Sequence, residues 1–104
     1  MKIKRVEFTS DGHAVVAYFV YCPACERAHR FITENGVDPK HFWSFDGDLE
    51  NPTFEPSLLV TGGFEGGEVC HSYLRDGEWE FLPDSTHGEV GKFQMVDFPD
   101  GYRV

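Results

Sequence analysis

Residues 14–25 read AVVAYFVYCPAC, a β-branched and aromatic run without glycine or proline that ends in Cys22-Pro23-Ala24-Cys25. Side chains of this kind suit a half-buried pleated surface, so the run predicts a strand. Two cysteines separated by two residues form a knuckle: the turn points both sulfurs at one spot and aims backbone N–H groups at them, which favours the thiolates a metal needs. The stretch therefore predicts a strand that delivers the chain into a metal site.

Upstream, residues 2–8 alternate, and Thr9-Ser10-Asp11-Gly12 carries turn chemistry, so the first twenty residues predict a hairpin. Downstream, residues 26–34 fit either a short helix ended by Asn35-Gly36 or a third strand around Phe31 and Ile32. Phe42-Trp43-Ser44-Phe45 predicts a strand closed by Asp46-Gly47-Asp48. The segment Asn51-Pro52-Thr53-Phe54-Glu55-Pro56-Ser57 carries two prolines, which argues against a central strand, whereas Leu58-Leu59-Val60 can pair. Residues 62–67 are glycine-rich and predict a flexible loop. Residues 69–74 predict a strand, Arg75-Asp76-Gly77-Glu78 a tight turn, residues 79–82 the returning strand and residues 93–96 the last one. The expected fold is mainly β, α+β with little helix at most: a small zinc-stapled sheet of hairpins in one domain spanning residues 1–104.

The chain has 104 residues, 18 acidic against 9 basic side chains and a net charge of −9, which argues against a groove that tracks phosphates. An acidic surface suits a basic protein partner, or a decoy for a nucleic-acid-binding enzyme. No apolar stretch reaches the length of a membrane helix, and the N-terminal residues resemble a strand rather than a signal peptide. Three cysteines without a signal favour metal over disulfides, in the cytoplasm.

Zinc takes four donors in a tetrahedron. Cys22, Cys25 and Cys70 supply three. His29, four residues after Cys25, is the expected fourth if a helical turn follows the knuckle. His87 is its substitute and His71 the third choice, because neighbours on a strand point to opposite faces and Cys70 would turn His71 away. Three thiolates and an imidazole make a closed, structural set, with iron the alternative at a cysteine-rich site. The competing reading, a redox pair, would sit in a βαβ setting that the sequence lacks.

Ser57, His71, His87 and Asp84 form a second group. Serine, histidine and an acid are the parts of an activated hydroxyl nucleophile. Taken singly, each has a plainer role: Ser57 in a turn, Asp84 as the cap of a helical turn, His71 as a strand histidine. His13 and His41 fall in turn-like, solvated segments. The sequence has neither the H-E-x-x-H nor the phosphate-loop motif, and no H-x-E precedes the knuckle as in zinc deaminases.

The order of these motifs resembles a family of short phage, prophage and bacterial proteins grouped as a domain of unknown function. The resemblance lies in Cys22-Pro23-Ala24-Cys25 with His29, the Trp43–Asp48 segment, Pro52-Thr53-Phe54-Glu55-Pro56-Ser57, Cys70-His71-Ser72-Tyr73 and Asp84-Ser85-Thr86-His87. It runs from about Cys22 to Gly91, leaving the first hairpin and the tail individual. It implies a zinc-binding, peptidase-like protein of bacterial ubiquitin-like conjugation. The expected function is a small zinc-stabilised hydrolase acting on a ubiquitin-like protein or its adducts, through the serine–histidine group or, as a variant, through an open zinc held by two cysteines and a histidine that activates water. The alternative is a non-catalytic zinc-ribbon-like module that offers exposed aromatics around Trp43 and Phe54, and the loop at residues 62–67, to a protein partner.

Overall fold

The computed structural model describes residues 2–35, 43–62 and 68–102. Their strands are β1 (Ile3–Ser10), β2 (His13–Cys22), β3 (Arg27–Asn35), β4 (Ser44–Phe45), β5 (Phe54–Gly62), β6 (Glu68–Arg75), β7 (Glu78–Phe81) and β8 (Gly91–Gln94). They form two antiparallel sheets, β1-β2-β3 and β4-β5-β6-β7-β8. The fold is all β, with no helix among the described residues. None of them forms a helix long and apolar enough to cross a membrane. Phe42, His41, Gly36 and the predicted loop at 63–67 lie outside the described residues.

Two turns shape the sheets. Asp11 (φ 51°) and Gly12 (φ 77°) close the β1–β2 hairpin, and Asp76 (φ 54°) and Gly77 (φ 73°) close β6–β7. Two consecutive left-handed residues twist the strands in the sense a tight hairpin needs, and Asp-Gly supplies them at least cost. Gly77 carries a second constraint: an added Cβ would lie 2.9 Å from Asn51 Oδ1 and 3.1 Å from its Cα. Its N–H also donates to the Pro52 carbonyl (3.0 Å). Gly77→Ala is therefore expected to cost roughly 2–3 kcal/mol in a urea melt, whereas Gly12→Ala, with open space around its Cβ, costs about 1 kcal/mol. Equal losses would mean that the contact with Asn51 contributes nothing.

The segment that fits both helix and strand forms β3. Its burial has period two: His29 and Phe31 are inside and Arg30 is exposed. The double-proline segment departs from expectation, because β5 begins at Phe54 and lies between β4 and β6. Proline is tolerated there because the register slips. Phe54 faces Leu74 and Leu58 faces Ser72, four residues of advance on β5 against two on β6. The surplus bulges out, and Pro56 owes the ladder no N–H.

The two sheets bury one core. Val20, Cys22 and Phe31 come from the smaller sheet, and Phe54, Leu58, Cys70, Leu74, Trp79 and Phe81 from the larger. Phe54 stacks on Phe31 (4.2 Å, 12°) and on Phe45 (4.7 Å, 10°) and is fully buried. Trp43 is partly buried against the same core, edge-on to Phe31. The exposed aromatic surface expected at Trp43 and Phe54 is thus absent: these rings hold the sheets together.

Candidate active site and metal centre

Strand β6 carries both candidate sites, because successive residues point to opposite faces. Cys70 faces inward and is 2 % exposed; His71 faces the other way.

On the inner side, Cys22, Cys25, His29 and Cys70 place one donor atom each within 4.8 Å of one another. Cys22 ends β2, and the knuckle closes with the Glu26 N–H on the Cys22 carbonyl (2.9 Å). The Cys25 N–H points at the Cys22 sulfur (3.4 Å). His29 arrives by strand pairing, opposite Val20 in the β2–β3 hairpin, so it shares the inner face with Cys22. The helical turn expected to bring it there does not exist. Donors 2.3 Å from a tetrahedral centre lie about 3.8 Å apart, so a small contraction closes the set on an ion. Its chemistry fits: His29 Nε2 is buried without a hydrogen-bond partner, as a ligand nitrogen awaiting a cation would be. Three such close thiols cannot all ionise by themselves. Cys25 accepts from Cys22 and Cys70, and these contacts drive its pKa far down. The shared proton with Cys25 pushes Cys22 up to about 11, and contacts with Cys22 and Cys25 push Cys70 up strongly. A divalent cation resolves that conflict by favouring all three thiolates.

On the outer side, Ser57 Oγ lies 3.1 Å from His71 Nε2. His71 Nδ1 lies 2.9 Å from Asp84 Oδ2 and 3.1 Å from Oδ1. A carboxylate only accepts, so Nδ1 carries the proton and Nε2 presents its lone pair to the Ser57 hydroxyl, which donates. Asp84 is 60 % exposed, so water screens its charge and its main effect is to fix the tautomer. Ser57 lies at the β5 slip, diagonally across the ladder from His71, which faces Leu59.

Asp84 is held by its neighbours. The expected helical turn over residues 84–87 is absent. Instead the segment is sewn to the edge of β6: the His71 N–H donates to Ser85 Oγ (2.9 Å), and the Val69 N–H to Thr86 Oγ1 (2.9 Å). The two hydroxyls donate back to the carbonyls of His71 and Val69 (both 3.2 Å). Ser85 and Thr86 are positioning residues that the sequence reading missed; the signal was two hydroxyl residues directly after the acid. His87 joins neither the serine chain nor the donor cluster. Its Nδ1 accepts the Glu89 N–H (3.1 Å), its ring meets Phe81 edge-on, and it lines a cavity of about 320 Å³ with Cys25 and Cys70.

A hydrogen-bonded serine, histidine and aspartate on a β scaffold is the arrangement of a serine hydrolase, recognised by geometry rather than chain order. The sequence model of the family described as bacterial ubiquitination-like system serine protease (BubE) matches residues 2–82, and the chain belongs to that family. The match takes in the first hairpin, which the motif order alone leaves out, together with Ser57, His71 and all four clustered donors; it ends just before Asp84. No curated protein and no solved structure matches the chain.

Proposed function

We propose that the protein is a serine peptidase that cleaves the tail of a ubiquitin-like protein or releases its adducts, working in the cytoplasm around a structural zinc. The chain of contacts from Ser57 through His71 to Asp84 carries this reading. Ser57 Oγ attacks the carbonyl carbon while His71 Nε2 takes its proton, and Asp84 holds the imidazolium that forms. His71 then returns the proton to the departing amine, leaving an acyl-Ser57. Water, deprotonated by the same nitrogen, hydrolyses this ester and frees Ser57.

Cys22, Cys25, His29 and Cys70 would hold the zinc. When bound, it supplies folding free energy, since four protein donors fill a tetrahedron and leave no position for water. The family description supports a protease of a ubiquitination-like system; the substrate and the metal are our assignments. The three free cysteines suit a reducing compartment.

A fluorophosphonate probe tests the nucleophile. We expect one adduct per chain, mapped by mass spectrometry to Ser57 and lost in His71→Ala. In parallel, a ubiquitin-like protein carrying a C-terminal extension should lose the extension. A folded, zinc-loaded protein that forms no adduct and cleaves nothing would instead be a protein-interaction module.

A further inference from the structure

We propose that an extended, acidic peptide segment of the substrate lies in the groove between β3 and β5, adding to the free edge of β5 as a strand that leads to Ser57. This deepens the serine-peptidase reading and rests on it.

The alternation of main-chain groups along β6 fixes which side of β5 is free. His71 and Val69 use their main-chain groups on the β7 side, where the His71 carbonyl accepts from Leu82 and the Val69 carbonyl from Thr86. Cys70 and Ser72 therefore turn theirs toward β5, onto Val60 and Leu58. Leu59 and Thr61, of opposite parity, turn their N–H and C=O groups away from β6. Strand β4 covers only Phe54 and Glu55. Among the described residues nothing pairs with the outer edge at Leu59 and Thr61, and Leu59 is 57 % exposed. Ser57 has the same parity, and its carbonyl accepts the Trp43 indole N–H (3.3 Å). The free edge is thus continuous with the nucleophile. Ser57 to Thr61 spans about 13 Å of extended chain.

Across the groove stands the outer edge of β3. There the Ile32 carbonyl accepts the Trp43 N–H (2.9 Å) and the Ala28 N–H donates to the Tyr102 hydroxyl (2.8 Å). Arg30, between them, turns its main-chain groups the same way. The groove holds about 600 Å³, with Phe19, Ile32 and Trp43 on its apolar walls. Arg27 and Arg30 also line it, no described lining residue is acidic, and neither arginine has an ion-pair partner among the described residues. In a chain of net charge −9, two arginines without an ion-pair partner among the described residues, beside a strand edge that no described residue pairs, select an extended chain that brings carboxylates. Open edges are otherwise capped or covered, because they template pairing with another chain.

The test uses full-length Ser57→Ala protein, so that binding is read without cleavage. Three dye-labelled hexapeptides are compared by fluorescence anisotropy: alternating Val and Glu, Val and Gln, and Val and Lys. The Glu peptide should bind at least tenfold more tightly than the other two and slow hydrogen exchange at the Leu59 and Thr61 amides. Arg30→Glu should reverse the preference toward the Lys peptide, with its thermal melt unchanged. Leu59→Pro removes an N–H that the β5–β6 ladder does not use, and should abolish the protection without unfolding the sheet. Equal binding of all three peptides, no binding of any, or protection elsewhere overturns the groove, even if the wild type is labelled at Ser57. Binding of the Glu peptide with no labelling of the wild type keeps the groove and removes the peptidase.

Discussion

Ser57→Ala is expected to lower kcat/KM for peptide hydrolysis by at least about 10⁴-fold while leaving the thermal melt unchanged, because a group that forms the acyl intermediate has no substitute. Among the described residues Ser57 Oγ has one hydrogen bond, to His71 Nε2 at 3.1 Å, and the side chain is only half-buried, so removing it opens no cavity. His71→Ala should lose about as much. The double variant should be no worse than either single one, since the two side chains act as a unit. Asp84→Asn separates orientation from charge. An amide can donate to Nδ1 and force the proton onto Nε2, where it faces Ser57 and cannot accept. A loss of roughly 10²–10⁴-fold follows, toward the lower end because Asp84 is 60 % exposed and water can take its place. Single-turnover kinetics on purified variants measure all four. Retained turnover in Ser57→Ala would remove this serine from the chemistry, and additive losses in the double variant would mean that the pair does not work together.

The strands could be read where local chemistry was unambiguous. The Asp11-Gly12 and Asp76-Gly77 turns announce their hairpins because few other pairs adopt two left-handed residues in succession. Residues 27–35 could not be settled, since the pattern of His29, Phe31 and Ile32 fits both periods. The choice depends on the buried pairing of His29 with Val20 across the knuckle. Phe54 was misread for a related reason. Prolines on both sides suggest an exposed loop, yet a register slip absorbs Pro56 and turns the ring into the core. The residue types at the serine site were legible and their meeting was not. Ser57 and His71 meet across the β5–β6 pair, where His71 faces Leu59 and Ser57 stands two residues before Leu59 on the same strand. Nothing within residues 54–58 specifies that register, which is a property of the pair of strands. Cys22, Cys25 and Cys70 were legible from thiol chemistry. His29 was named for a helical geometry and arrives by a strand one.

Stripping the metal, or changing Cys70→Ser, is expected to lower the thermal midpoint by more than about 15 °C and to abolish peptide hydrolysis in step with the loss of near-ultraviolet circular dichroism. With an ion bound, the four donors would tie the end of β2, the knuckle and β3 in one sheet to β6 in the other. They would therefore staple the two layers that Phe31, Phe54 and Trp79 hold by packing. Structural zinc in small peptides is worth about 10–16 kcal/mol, against a net stability of roughly 5–15 kcal/mol for a domain of this size, so the core cannot absorb the loss. The site's effect on catalysis follows from adjacency. Cys70 and His71 are neighbours on β6, and freeing Cys70 releases the strand that presents His71 to Ser57 and Asp84. Protons compete with metal for the thiolates, so the contribution of a bound ion would be present at neutral pH and lost as pH falls. A chelator titration followed by activity and circular dichroism together separates the roles. Coincident curves, with cobalt-reconstituted protein turning over within a few-fold of zinc protein, mean that the ion holds β6 in place. Activity lost before the fold, and a pH–rate profile that moves with the metal, would put the ion in the reaction. A metal-free protein with an unchanged melt would reduce the cluster to three packed thiols and leave β6 to be held by its ladders and by Ser85 and Thr86.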